Sequence, residues 1–262
     1  MIDLHCHILP GLDDGPENID GTLEMVRRAF GDGIRTIVAT PHTHNSVYLN
    51  HFEDVRRCVN TVNSTICSEG LSVVVRAGLE VHMCEGMVRR LEEGGIGTLN
   101  HTGRYMLVEF PFQALPAGYR NELFELRLKG VTPIIAHPER NLVLQNELGR
   151  VYELVEMGCL LQLTAMSITG ELGEAAMVCA RELLDLRLAH VIASDAHSHE
   201  NRPPVLSSAV EAAAGILGSE IEARDMVTKI PAAIIAGRNL DVSEPLRVVK
   251  RGWFARLAKL VS

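Results

Sequence analysis

The sequence predicts an α/β protein built as a closed or nearly closed barrel of parallel strands, with a doubly wound open sheet as the competing architecture. Three observations predict it. Short β-type runs alternate with helical patterns along the chain. One strand and its following helix take roughly 30 residues, the length of a unit in a β/α barrel. No linker, repeat or low-complexity segment breaks the alternation before about Asp241. The boundaries are therefore read as 1–240 for one domain and 241–262 for a C-terminal tail. Regular alternation implies parallel strands joined by right-handed crossovers, and seven units in one chain favour a barrel over two domains.

Strands are expected near Ile2–His5, Thr36–Thr40, Ser72–Ala77, Tyr105–Glu109, Thr132–His137, Leu160–Leu163 and His190–Ser194. The first helix is expected near Ile19–Phe30, because Ile19, Leu23, Val26 and Phe30 recur at helical spacing and Gly31 and Gly33 end the run. Further helices follow near Phe52–Cys67, Glu85–Glu93, Arg120–Lys129, Leu148–Met157, Gly173–Leu186 and Val205–Leu217.

The composition, 47% hydrophobic and 22% charged over 262 residues, excludes a disordered chain. A net charge of -8 argues against nonspecific nucleic-acid binding, which Lys and Arg mainly supply. The N-terminus MIDLHCHILPGLDDGP carries no signal-peptide pattern, and no apolar run approaches the ~18 residues of a membrane span. Six cysteines without framework spacing read as reduced thiols, so a cytoplasmic location is expected.

Potential metal ligands recur just after the expected strands. They are His5-Cys6-His7 with Asp13-Asp14, then His42 and His44, Glu80, Glu109, His137, and finally Asp195 and His197. In β/α barrels the C-terminal strand ends carry the active site, so these clusters would converge. Residues two apart on a strand face the same way, so His5 and His7 can share an ion while Cys6 points away. Imidazole and carboxylate without thiolate suit Mn²⁺, Fe, Zn²⁺ or Mg²⁺. Counting one of Asp13 and Asp14 and setting His44 aside, four carboxylates and five histidines are too many for one ion, and two or three ions bridged by Glu80 would accommodate them. His51, His82, His101 and His190 lack a strand-end context and read as surface or satisfied histidines. His44 and His199 sit beside the motifs and are candidates for a supporting shell.

These residues resemble the polymerase-and-histidinol-phosphatase (PHP) family over about residues 1–240. The strings HCHILPGLDDGP, TPH, GLE, EF, AHPERN and SDAH are most similar to its bacterial metal-dependent protein-tyrosine phosphatases, encoded with capsule and exopolysaccharide genes. The resemblance implies a distorted (β/α)7 TIM-like barrel of PHP type. It implies one metal on His5, His7, Glu80 and Asp195, a second on Glu80, Glu109 and His137, and a third on Asp14, His42 and His197. Asp14 and Glu109 stand where some relatives have histidine, and Asp13 competes with Asp14. Arg140 and Arg202 are similar to that branch's phosphate-contacting arginines.

The implied activity is hydrolysis of phosphotyrosine on a protein, a bacterial tyrosine kinase that controls polysaccharide assembly being the expected partner. The implied mechanism is in-line attack by a metal-bridging hydroxide, with Mn²⁺ the first choice of ion. Arg140 and Arg202 would supply forked donors to the phosphate, and His199 or a metal-bound water any proton for the leaving group. Cys84 and Arg90 mimic the Cys-x5-Arg pattern of thiol phosphatases, but the intervening EGMVR lacks a glycine-rich phosphate cradle. The competing functions are a metal-dependent amidohydrolase, a small-molecule phosphatase such as histidinol phosphatase, and a metal-bound interaction module without turnover. None of the four lysines lies at a strand end, where an amidohydrolase's bridging lysine would stand.

In the tail, Leu246, Val249, Trp253, Leu257 and Leu260 recur at helical spacing among five basic residues. An amphipathic helix there would touch an anionic membrane or the partner kinase, or else pack on the barrel or a neighbouring subunit. Relatives occur in several assemblies, so a homo-oligomer stays open.

Overall fold

The computed structural model describes residues 1–240, and the expected tail helix lies outside them. The described strands are β1 (Ile2–Cys6), β2 (Thr36–Ala39), β3 (His42–Thr43), β4 (Val74–Ala77), β5 (Glu80–His82), β6 (Tyr105–Glu109), β7 (Thr132–Ala136), β8 (Leu160–Thr164) and β9 (Val191–Ala193). The helices are α1 (Ile19–Gly31), α2 (Phe52–Ser68), α3 (Met87–Glu92), α4 (Tyr119–Leu128), α5 (Leu142–Asn146), α6 (Leu148–Glu156), α7 (Ala165–Thr169), α8 (Glu174–Asp185), α9 (Ser207–Leu217), α10 (Glu220–Asp225) and α11 (Lys229–Ile235). Each strand and helix expected from the sequence is present within two residues of its expected ends. The additions α5, α7, α10 and α11 are too short for helical periodicity to register in a sequence window.

The strands form two parallel sheets, in the orders β1-β2-β4 and β3-β5-β6-β7-β8-β9. The expected second and third strands each break and restart, which creates β3 and β5. Pro41 at the first break has no N–H for the ladder. Gly78 at the second lies so close to its neighbours that a Cβ would sit 2.8 Å from Val38 Cγ1 and 2.9 Å from Leu99 Cδ2. The far edges meet as well. The Asp195 N–H donates to the His5 carbonyl and the His7 N–H to the Ala196 carbonyl, both at 2.8 Å, and Cys6 bridges Ala196 in parallel.

Helix α1 shows how the layers are specified. The Asn18 side chain accepts from the Gly21 N–H at its start, and Leu23, Met25, Val26 and Ala29 are buried. Phe30, expected in the apolar stripe, is 38% exposed instead and lies under the Arg35 guanidinium.

Leu4, Val38, Leu107, Ile134, Ala136, Leu160 and Val191 pack together with Leu99 and Ile234 as one buried cluster. Each aliphatic side chain buried there contributes about 1.5–3 kcal/mol. Two residues beyond Leu107 and Leu160, on the same strand faces, stand Glu109 and Gln162. The apolar cluster is thus a floor, and the polar groups above it form the site. A register shift between Asp3 and Cys6 changes the phase of β1. Leu4 joins the floor while His5, its neighbour, reaches Gln162.

Candidate metal centre

The ends of β1, β3, β5, β6, β7 and β9 converge above this floor. His5, His7, Glu80, Glu109, His137 and Asp195 are all buried there. Glu80 is the hub. Its Oε1 lies 3.0 Å from His137 Nε2 and 3.3 Å from His5 Nε2. Its Oε2 lies 2.8 Å from His42 Nδ1 and 3.5 Å from His7 Nε2. Asp195 Oδ1 is 3.3 Å from His5 Nε2 and 3.5 Å from His7 Nε2. Glu109 faces His137 and His42, each at 3.7 Å. Asp14, half-exposed, closes the other side at 3.3 Å from His197 and 3.7 Å from His42. Three overlapping groups have donor atoms close enough to share an ion: His7, Asp14, His42 and His197; His5, His7 and Glu80; and His42, Glu80 and Glu109.

Supporting residues fix which ring nitrogens point inward. His7 Nδ1 donates to Asp13 at 2.6 Å, and His5 Nδ1 donates to the Gln162 side-chain oxygen at 2.8 Å. His197 Nδ1 donates to the Asp195 carbonyl at 2.9 Å. With both Nδ1 atoms committed as donors, the Nε2 lone pairs of His5 and His7 face each other at 3.1 Å. Two lone pairs at that distance repel unless a proton or a cation is held between them. His42 Nδ1 and Glu80 Oε2 are likewise buried, 2.8 Å apart but not aligned as donor and acceptor, and neither has a hydrogen-bond partner among the described residues. Buried polar atoms without partners are costly. This donor set therefore fits divalent cations, which coordinated imidazole and carboxylate would satisfy.

The electrostatics agree. Burial opposes charge at His5, His7, His42, Glu80, Asp195 and Asp14, but opposite charges outweigh it there; at His197 burial prevails and lowers the pKa. Burial would lower the pKa of His5, yet Glu80 and Asp195 hold it above the usual imidazole range. His7 is raised further by Asp13, and His42 is raised by Glu80. Burial would raise Glu80 and Asp195, yet His5 and its neighbours hold both well below the usual carboxylate range. Asp14 is lowered by His197 despite partial burial. Protons and metal ions compete for the same lone pairs in such a site. His137 and Asp195 also adopt left-handed backbone angles, φ 32° and 52°, a conformation non-glycine residues hold only where surrounding contacts enforce it.

Arg140 and Arg202 both donate to Asp195 Oδ2, at 2.6 and 2.7 Å, while Oδ1 of the same carboxylate faces His5 and His7. Both guanidinium groups keep some exposure to solvent. His199 is not drawn in. It is exposed and forms its one described ion pair with Glu200, at 3.6 Å. His82, read from the sequence as a surface or satisfied histidine, is partly exposed and is satisfied by Glu109 at 3.1 Å. The break that creates β5 carries it there, two residues past Glu80. His190 also reads as expected, accepting the Leu161 N–H from a buried position. The Cys84 thiol is pushed up in pKa, chiefly by burial, whereas a thiol nucleophile needs the reverse.

Two residues escaped the sequence reading in their roles. Gln162 belongs to the one expected strand without a ligand cluster; its signal was a lone amide in the apolar run LLQLT. Asp13 was a rival to Asp14. In the fold its side chain is buried and accepts from His7 Nδ1, the Gly15 N–H and the His42 N–H. Asp14, next to it, faces the opening.

The chain belongs to the capsular polysaccharide synthesis family CpsB/CapC, whose profile matches residues 1–236 and so contains the whole cluster. It is 35% identical over 254 residues to the tyrosine-protein phosphatase YwqE of Bacillus subtilis (strain 168), covering 97% of this chain and 99% of that protein. It is 31% identical over 240 residues to the tyrosine-protein phosphatase CpsB of Streptococcus pneumoniae, covering 90% and 98%. A crystal structure from work on YwqE and CpsB, described as metal-dependent tyrosine phosphatases, superimposes with a TM-score of 0.90 at 34% identity. The match covers 95% of this chain and 100% of that one. The resemblance drawn from the sequence motifs therefore holds.

Proposed function

We propose that the chain is a metal-dependent protein-tyrosine phosphatase whose site is the cluster around Glu80. The observation that carries this is the shared carboxylate of Asp195. One oxygen faces His5 and His7, and the other collects the two arginines. Cation ligands and phosphate donors are thereby held side by side. The ion-binding residues are His5, His7, Glu80 and Asp195; Glu80, Glu109 and His137; and Asp14, His42 and His197, for two or three ions with Mn²⁺ first among Mn²⁺, Fe, Zn²⁺ and Mg²⁺. When bound, such ions lower the pKa of coordinated water toward neutrality and take up phosphoryl charge.

The chain's own residues do the rest. Asp13 and Gln162 hold the rings of His7 and His5 with Nε2 inward. Arg140 and Arg202 present planar N–H donors to the non-bridging oxygens of the phosphate, and Asp195 keeps both in place. The floor beneath excludes water from one side. A leaving tyrosinate, with a reference pKa near ~10, needs little protonation, so no side-chain acid is assigned and His199 is left out of the mechanism.

We read the two sheets, joined through Cys6 and Ala196, as a distorted (β/α)7 barrel. The family's link to capsular polysaccharide synthesis supports a phosphotyrosine protein of that machinery, a bacterial tyrosine kinase, as substrate. Six free cysteines suit a reducing compartment such as the cytoplasm. The test is metal analysis of the purified protein together with turnover of a phosphotyrosine peptide and of histidinol phosphate. Wild type should hold divalent ions and prefer the peptide, and His42→Ala should lose most of that turnover. Equal activity in His42→Ala, or turnover of histidinol phosphate alone, would overturn the reading.

A further inference from the structure

We propose that Phe112 and Tyr48 wall a slot at the mouth of the cluster that takes the aromatic ring of the substrate, so that the site selects aryl phosphates over non-aromatic ones. The proposal rests on the phosphatase reading above and adds the residues that would recognise the leaving group.

Phe112 follows β6 and is 44% exposed, although it is a large apolar side chain. Its ring stacks on His137 with centroids 5.5 Å apart and planes 25° apart. The Arg140 guanidinium carbon lies 4.8 Å from its centre. The residue is fixed in place, because its carbonyl accepts the Leu142 N–H at 2.8 Å and Asn141 donates to the Pro111 carbonyl at 2.7 Å. An exposed aromatic is thus held against both a ligand-type histidine and an arginine of the phosphate pair.

Tyr48 occupies the equivalent place on the other flank. Its ring is nearly parallel to that of His42, with planes 7° apart and centroids 6.2 Å apart. The loop that presents it is tightly built. The Asn45 side chain accepts the Val47 and Tyr48 N–H groups, at 3.1 and 2.8 Å. Asn50 donates to the Leu12 and His42 carbonyls. His44 and Ser46 are held at φ 61° and 71°, a region non-glycine residues rarely adopt. His42 and His137 approach opposite oxygens of Glu80, so Tyr48 and Phe112 flank the hub of the cluster from two sides. Arg140, one of the two arginines proposed to hold the phosphate, packs on the Phe112 ring, so the ester group of a phosphate bound there would lie beside that ring. Aromatic rings attract one another in offset or edge-to-face contact, and an alkyl or acyl group in the same place gains less.

The test uses the metal-loaded full chain and two non-hydrolysable probes, phenylphosphonate and methylphosphonate, with affinities read by calorimetry. Wild type should bind phenylphosphonate more tightly. In Phe112→Ala that preference should shrink by about two- to tenfold, the size of an aromatic pair contact, and Phe112→Tyr should restore most of it. In turnover of phenyl phosphate, the loss should fall in KM rather than kcat. Phe124→Ala, an exposed phenylalanine on α4, should keep the wild-type preference. An undiminished preference in Phe112→Ala and Tyr48→Ala, with wild type active, overturns the slot alone. A wild type that binds neither phosphonate overturns the phosphatase reading and the slot with it.

Discussion

Replacing Asp13 by asparagine keeps the shape of the side chain, removes its charge and leaves one acceptor oxygen where Asp13 uses two. In the fold the Asp13 side chain is buried and accepts three hydrogen bonds, from His7 Nδ1 at 2.6 Å and from the Gly15 and His42 N–H groups at 3.0 Å each. The bond to His7 orients a ring found in two of the three sets of donor atoms that lie close enough together to share an ion, and the bond to His42 steadies the backbone of another such residue. A charge-assisted hydrogen bond is worth about 1.5–3 kcal/mol and a neutral one about 0.5–1.5, so neutralising Asp13 costs roughly 1–2 kcal/mol at His7. That agrees with the ~10–100-fold loss of metal affinity typical when the outer partner of a histidine ligand is changed. The assay is a competition titration of metal-free protein with Mn²⁺ or Zn²⁺ against a chromophoric chelator, with circular dichroism to check the fold. Asp13→Asn should remain folded and bind about 10–100-fold more weakly. An affinity within about twofold of wild type would refute the claim that Asp13 sets the direction of His7.

Other outcomes follow from the same geometry. The raised pKa values of His5, His7 and His42 mean that protonated rings stabilise the metal-free protein below the ordinary imidazole value near ~6.5. That contribution is lost as pH rises through the raised values, so metal-free protein should lose stability there while metal-loaded protein does not; denaturant titrations of both forms across pH will tell. Metal affinity should rise over the same range, with proton release detectable by calorimetry in two buffers. His190, pushed down to about 4 by burial, acts in the opposite direction. The unfolded chain takes up its proton first, so about 3 kcal/mol of stability present above pH ~6.5 should be lost by pH ~4. His190→Asn, which keeps an acceptor for the Leu161 N–H, should flatten that part of the urea-midpoint profile. Cys84→Ser should keep phosphatase turnover within about twofold, since a partly buried thiol with a raised pKa is a poor nucleophile; abolished turnover in a folded variant would contradict the metal site.

Much of the site was legible because strand ends and ligands fall in phase. His5, His7, His42, Glu80, Glu109, His137, Asp195 and His197 could be named from spacing, since each follows an apolar run that must be buried. What stayed hidden depended on backbone phase. His82 looked peripheral because one strand was expected up to Ala77, and the restart of β5 after Gly78 brings it to Glu109. Asp13 and Asp14 are adjacent and chemically identical, and only the turn before Gly15 decides which is buried and which faces the opening.

The sequence by itself determined the alternation of strands and helices, the chemistry of the candidate ligands and the family. These are local properties: apolar periodicity and the order of donor residues along the chain. The tertiary structure decided which nitrogen of each histidine faces inward, that Gln162 and Asp13 do the holding, that both arginines meet on Asp195, and that His199 stands apart. Those are contacts between residues up to 157 positions apart. Their geometry follows from strand register and from the two strand breaks, which no short stretch of sequence encodes.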